Sequence, residues 1–241
     1  MRRSPTRGLY DPASEHDSCG FGLIAQVDGN GSRAIVDAAL EALSRMAHRG
    51  GVAADGLSGD GCGVLLHGID GFVRTLANDA GIALHDGLIA AGNVFLPQDG
   101  GQDAQCRELL ARELGNAGLR VMGWRDVPVD PSVCGALARA SRPRIAQVYV
   151  ECDGDDVDAF ERALFLARKR AEQALRDVPD FHVVSLSARL LGYKGMVLPK
   201  HLRQLFPDLA HPQLAARAVV FHQRFSTNTQ PRWPLAHPFR R

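Results

Sequence analysis

Residues 17–27 read Asp17-Ser18-Cys19-Gly20-Phe21-Gly22-Leu23-Ile24-Ala25-Gln26-Val27. From Cys19 onward the stretch is short, apolar and punctuated by glycine, a pattern that predicts a buried strand. Residues 1–18 are polar and interrupted by Pro5 and Pro12, with no helical or strand period. A cysteine therefore stands at the junction between an unpatterned leader and the first core strand. Taken alone, such a cysteine is a small buried hydrophobe. Were the leader removed after Ser18, Cys19 would carry both a thiol and a free α-amino group. Their reference pKa values are near 8.5 and about 7.7–8.0, so the amine can act as general base to its own thiol. No histidine is then required, and His16, His48, His222 and His237 read as packing or loop residues.

Working outward, Asp28-Gly-Asn-Gly31 predicts a turn, with Ser32 as the N-cap of a helix. Ile35, Val36, Ala39, Leu40, Leu43 and Met46 fall at helical spacing and carry that helix to about His48. Gly50, Gly51, Gly56, Gly59, Gly61 and Gly63 crowd the next stretch, which predicts a loop where backbone comes close to backbone or ligand. A strand leaves that loop over Cys62–His67. Further strands are predicted over 88–96, 119–127, 144–152 (half-buried), 182–186 and 216–222, with helices over 106–114 and 155–176. The last helix presents Phe160, Leu164, Ala167, Ala171 and Leu175 on one face. Its acidic first turn and later Arg168-Lys169-Arg170 suit the helix dipole, and that basic cluster reads as a solvated face. With no repeat and no low-complexity linker, the reading is one α+β domain.

The chain has 241 residues, with 28 Lys and Arg against 27 Asp and Glu, a net charge of +1. So even a balance argues against partnership with nucleic acid or an anionic membrane surface. No run of 18 apolar residues is present, and no apolar segment follows the basic start, so a soluble, cytoplasmic protein is expected. Five cysteines at irregular spacing, without a CxxC pair, predict neither a disulfide framework nor a metal site.

Several long motifs in one order then resemble the large chain of glutamate synthase. Leu9-Tyr-Asp-Pro-Ala-Ser-Glu-His-Asp-Ser-Cys-Gly-Phe-Gly22 is similar to its start. Arg45-Met-Ala-His-Arg-Gly50 and Ala54-Asp-Gly-Leu-Ser-Gly-Asp-Gly-Cys-Gly63 are similar to its glycine-rich loop. Ser185-Leu-Ser187, Tyr193-Lys-Gly-Met196 and Phe206-Pro-Asp-Leu209 follow, and then Phe221-His-Gln-Arg-Phe-Ser-Thr-Asn-Thr229, Pro231-Arg-Trp-Pro-Leu-Ala236 and Pro238-Phe-Arg240.

The resemblance implies a class II glutamine amidotransferase domain over 19–241 with the N-terminal-nucleophile fold, two sheets between helical layers (αββα). Cys19 would open an inner strand, and residues 1–18 would be a propeptide. It implies that Cys19 attacks the side-chain amide of glutamine and that Arg224 grips the α-carboxylate. Thr227 and Asn228 would line the same pocket; by themselves they read as turn residues. Arg49 and Asp60 are expected to fix the glycine-rich loop. In the family an Asn-Gly pair follows Pro-Phe-Arg and supplies the oxyanion hole; it is not among these residues, so the domain is expected to be incomplete at its C-terminus. The FMN and iron–sulfur chemistry of the family would lie outside this chain, and no cofactor is expected within it. Two readings stay open. One is the glutaminase part of a glutamate synthase, joined to the remaining domains or to a second chain. The other is an inactive remnant, or a fragment that binds glutamine without hydrolysing it.

Overall fold

The structure, a computed structural model, describes residues 19–239. The leader over 1–18, with His16 and the first part of the opening motif, lies outside the described residues, as does Arg240 of the closing motif. The chain begins with β1 (Gly20–Ala25), α1 (Arg33–Ser44), β2 (Ser58–His67) and α2 (Asp70–Asp79). Next come β3 (Leu88–Leu96), α3 (Gly100–Asn116), β4 (Arg120–Asp126), α4 (Ala136–Ala140) and β5 (Arg144–Cys152). The rest comprises α5 (Val157–Ala174), β6 (His182–Val183), β7 (Leu190–Val197), α6 (Leu202–Leu205) and β8 (Ala218–Gln223). Local chemistry starts the long helices. Ser32 Oγ accepts from Ile35 N–H at 3.4 Å, Asp99 from Gln102 N–H at 2.9 Å, and Asp156 from Asp158 and Ala159 N–H at 2.9 Å.

Among the described residues two antiparallel sheets form, ordered β1-β8-β2-β7 and β4-β5-β3-β6. One core joins α1, α2 and the first sheet to Ala91, Phe95, Ile145 and Tyr149 on one face of the second. The other face of the second sheet packs against α3 and α5. The sheets are tied by polar groups as well. Asn93 Nδ2 donates to Gly192 O at 2.9 Å, and Asp208 binds Arg125 and accepts from Tyr193 Oη at 2.8 Å. This is the α+β arrangement that the sequence leads one to expect.

Several elements differ from expectation. The sequence reading contains no strand over β7 and no helix over α2. Gly192, Lys194 and Gly195 break the apolar pattern of β7, yet the glycines are there because neighbours press on them. A Cβ on Gly195 would lie 2.7 Å from Leu205 and 2.9 Å from the Trp233 ring. β2 begins at Ser58, inside the glycine-rich stretch, with its register broken between Ser58 and Cys62. β5 is buried along both faces because Ile145 and Tyr149 point into the core shared with the first sheet while Ala146, Val148 and Val150 meet α3 and α5. Arg168 is only 4% exposed, its guanidinium 5.1 Å above the Phe165 ring, so it does not belong to a solvated face. β1 is the edge strand of its sheet among the described residues, not an inner one.

Candidate active site

The β1–β8 register pairs Gly20 with Gln223 and so sets Cys19 beside the chain leaving β8. Phe225 N–H donates to Cys19 Sγ at 3.3 Å, and the same sulfur lies 3.8 Å from Phe225 O. Asp60 fixes this arrangement from the glycine-rich segment. Its Oδ2 accepts from Gly51 N–H at 3.0 Å and from Ser226 N–H at 2.7 Å. Arg224 N–H donates to Gly61 O at 2.9 Å. Three segments far apart in sequence thus meet at one thiol, and the expected loop-fixing role of Asp60 is visible as two hydrogen bonds.

The glycines make the approach possible. A Cβ on Gly50 would lie 1.7 Å from Gln223 Nε2, and one on Gly63 would lie 2.4 Å from Tyr193 O and 2.7 Å from His237 O. Gly61 sits at φ +114°, where an L side chain is strained, and its Cβ would meet Ala236 at 2.6 Å. Residues 236 and 237 can therefore lie directly on β2. Trp233 anchors that segment, donating Nε1–H to Ala138 O at 3.0 Å with its ring edge-on to Phe95. Lys194 Nζ donates to Pro234 O at 2.7 Å. His237 is thereby brought to His222, their Nδ1 and Nε2 atoms 2.9 Å apart.

Arg224 is 6% exposed and donates to Asp60 O at 3.2 Å and to Thr229 Oγ1 at 2.5 Å. Those bonds use two of the five guanidinium N–H groups. Thr227 and Asn228 are exposed in the bend between Arg224 and the Trp233 anchor. Burial lowers the His222 pKa. His237 falls to about 4, through burial first and then the charges of His222, Arg224 and Lys194. Cys62 differs from Cys19: it is fully buried, donates to Val197 O at 3.4 Å, and burial pushes its thiol far up. Buried Gln223 Oε1 has no hydrogen-bond partner among the described residues, while its Nε2 donates to Arg224 O at 3.1 Å.

A family model described as glutamine amidotransferases class-II matches residues 19–241. The chain belongs to that family. It is 40% identical over 240 residues to the glutamate synthase [NADPH] large chain of Azospirillum brasilense, covering 98% of this chain and 16% of the relative. It is 39% identical over 228 residues to ferredoxin-dependent glutamate synthase 2 of a Synechocystis strain, covering 94% of this chain and 14% of the relative. The glutamate synthase [NADPH] large chain of Bacillus subtilis is 35% identical over 237 residues, 97% of this chain and 16% of the relative. The chain thus spans about a sixth of the length of these relatives.

For a class-II glutamine amidotransferase chain, the structure brings Cys19 together with the Arg224 loop and the glycine-rich segment, and leaves Thr227 and Asn228 at that loop's exposed side. Sequence reasoning set His222 and His237 aside; the structure places both beside Cys19. The available signal was alternation along β8, where Val219, Phe221 and Gln223 are buried and His222 must face the other way. His237 gave no such signal, because only the glycines opposite it explain its position.

Among the described residues, no helix is long and apolar enough to cross a membrane.

Proposed function

We propose that this chain is the glutamine-hydrolysing part of a glutamate synthase, with Cys19 as nucleophile, exposed when residues 1–18 are removed. The observation that carries the reading is the convergence of Cys19 Sγ, held by Phe225 N–H at 3.3 Å, with the loop that begins at buried Arg224. The family match begins at Cys19, which supports a domain of 19–241 behind a leader. In this reading Arg224 holds the α-carboxylate of glutamine with its planar fork, while Thr227 and Asn228 meet the polar end of the substrate.

The thiol proton passes to the α-amine of Cys19, and sulfur attacks the side-chain amide carbon. As the tetrahedral adduct collapses, the proton moves to the leaving nitrogen and ammonia departs. Water then adds to the thioester, breaks the C–S bond and releases glutamate with the thiol restored. Oxyanion donors come, on the resemblance, from an Asn-Gly pair beyond these residues. The ammonia would be used to aminate 2-oxoglutarate in a parent synthase of the cytoplasm, whose FMN and iron–sulfur groups lie in other domains. No step proposed for this chain passes through them.

Intact mass tests the first step: a protein lighter by residues 1–18 is expected, and a full-length mass in protein that hydrolyses glutamine would overturn the amine-base mechanism. Cys19→Ala is expected to abolish ammonia release while leaving the circular dichroism spectrum unchanged. Glutamine is also expected to slow alkylation of Cys19. Slowing by glutamine in an intact-leader protein without ammonia release would instead favour a binding fragment.

A further inference from the structure

Cys19, His222 and His237 each offer one ligand atom, and these three atoms lie within 4.8 Å of one another. We propose that they form a site for a thiophilic divalent cation of the zinc type, and that occupancy of the site takes Cys19 out of reaction. The second half of this proposal rests on the reading of Cys19 as nucleophile; the first half does not.

The donor set is one thiolate and two imidazoles, which suits zinc and is unlike the all-oxygen shells of magnesium or calcium. A tetrahedral zinc ion with Zn–S of about 2.3 Å and Zn–N of about 2.0–2.1 Å sets its ligand atoms roughly 3.3–3.6 Å apart. The two histidines already approach more closely than this, at 2.9 Å between Nδ1 of His237 and Nε2 of His222. Their rings are steeply inclined, 74° between planes with centroids 4.3 Å apart. Closing on a cation therefore asks for side-chain adjustments of the order of an ångström and no change of backbone.

The backbone that carries the three ligands is also well defined. Cys19 immediately precedes β1 and His222 lies on the neighbouring β8, with Gly20 opposite Gln223 and Phe21 opposite His222. His237 is seated through Gly63, which admits the His237 carbonyl to a distance that any side chain would forbid. The Phe225 N–H bond to Cys19 Sγ, at 3.3 Å, supplies the outer-shell donor that a metal-bound thiolate accepts. Three protein ligands leave the fourth zinc position to solvent, as in an open site.

Protons balance simply. On binding, Cys19 loses its thiol proton to solvent and bonds the cation through sulfur. The imidazole whose proton lies between the two histidines shifts to the tautomer protonated at its other nitrogen, and both nitrogens then present lone pairs. The thiolate pair is engaged by the metal, so it is withdrawn from attack on a carbonyl carbon.

Cobalt(II) is the probe, since it occupies zinc sites and reports its ligands. One equivalent added to the anaerobic protein is expected to give a thiolate-to-cobalt charge-transfer band and the strong visible bands of four-coordination. Cys19→Ser is expected to remove the charge-transfer band, and His237→Gln to weaken binding by at least the roughly 10–100-fold that loss of an outer-shell partner costs. Alkylation of unmodified protein provides a control independent of folding: cobalt or zinc should slow iodoacetamide labelling of Cys19, mapped by peptide mass, and a chelator should restore it. Cobalt that binds without a charge-transfer band, or labelling of Cys19 that is unaffected by zinc, overturns the site. Zinc that shields Cys19 in a protein whose glutamine hydrolysis proves independent of Cys19 leaves the metal site standing and overturns only its inhibitory consequence.

Discussion

Around β3 and β5 the molecule is held by side chains. Ala90, Val94, Val148 and Val150 face Leu110, Leu114, Leu164 and Ala171, all fully buried between the second sheet and α3 and α5. Around Cys19 it is held by main chain. Asp60 gathers two backbone N–H groups, Arg224 N–H reaches Gly61 O, and the carbonyl of His237 rests on Gly63. In the first region a missing atom leaves a cavity; in the second an added atom has nowhere to go. The pairing teaches that the Cys19 thiol is positioned by removing side chains, so that peptide groups with little freedom can surround it.

Opposite substitutions sharpen this contrast. The largest effect expected is that of Leu164→Ala, a loss of about 2–5 kcal/mol in urea unfolding, with the alkylation rate of Cys19 in the folded protein unchanged. Gly63→Ala should cost about 1–3 kcal/mol from overpacking and should also alter that alkylation rate, because two carbonyl groups must move. A Gly63→Ala protein of normal stability and normal Cys19 reactivity would break the comparison.

Asp60→Ala leaves the N–H groups of Gly51 and Ser226 without their acceptor, at a cost of about 1–3 kcal/mol. Glutamine hydrolysis should fall with it through misplacement of Phe225 and Cys19. Asp60→Asn, which keeps an acceptor oxygen, should recover part of both; equal losses in the two variants would show that the charge, and not the acceptor, matters.

The smallest effect concerns Asp55. Its carboxylate accepts from Ser58 Oγ and from the N–H groups of Ser58, Leu137 and Leu57, and these bonds hold its pKa well below the usual range. The unfolded carboxyl titrates near 3.9. Below about pH 4 the unfolded chain therefore binds the proton first. Stability present at neutral pH is lost as pH falls toward the lower folded pKa. Asp55→Ala should be less stable at pH 7 and should lose stability less steeply in acid, read as the urea midpoint against pH. Parallel acid limbs would remove the assignment.

Where side chains do the holding, the sequence was legible. The strands read over 88–96 and 144–152 have those limits in the structure, and the buried face of α5 is the one its spacing gives. Where main chain does the holding, it was not. β7 leaves no strand signal because Gly192 and Gly195 contribute no apolar pattern, and the first part of β2 reads as loop because of Gly59 and Gly61. Arg168 reads as solvated because charge alone says nothing of the Phe165 ring beneath it. Cys19 and Arg224 stand out in the sequence through long shared motifs, and Asp60 through its place among the glycines. His222 and His237 had neither kind of signal, being close only after β8 and residues 236–237 have been laid over β2.

The bond from Phe225 to Cys19 closes a span of 206 residues, and this bears on when the thiol gains its surroundings. A ribosome adding about 5–20 residues per second needs about 10–40 s to make such a span. Within that interval β3, β4 and β5 are all made by Cys152 and can pair with one another, while β1 still waits for the β8 strand that is its only neighbour among the described residues. The Cys19 thiol is thus made 206 residues before the backbone group that binds it, so a nascent chain carries it through that span without the surroundings that β8 and Phe225 supply.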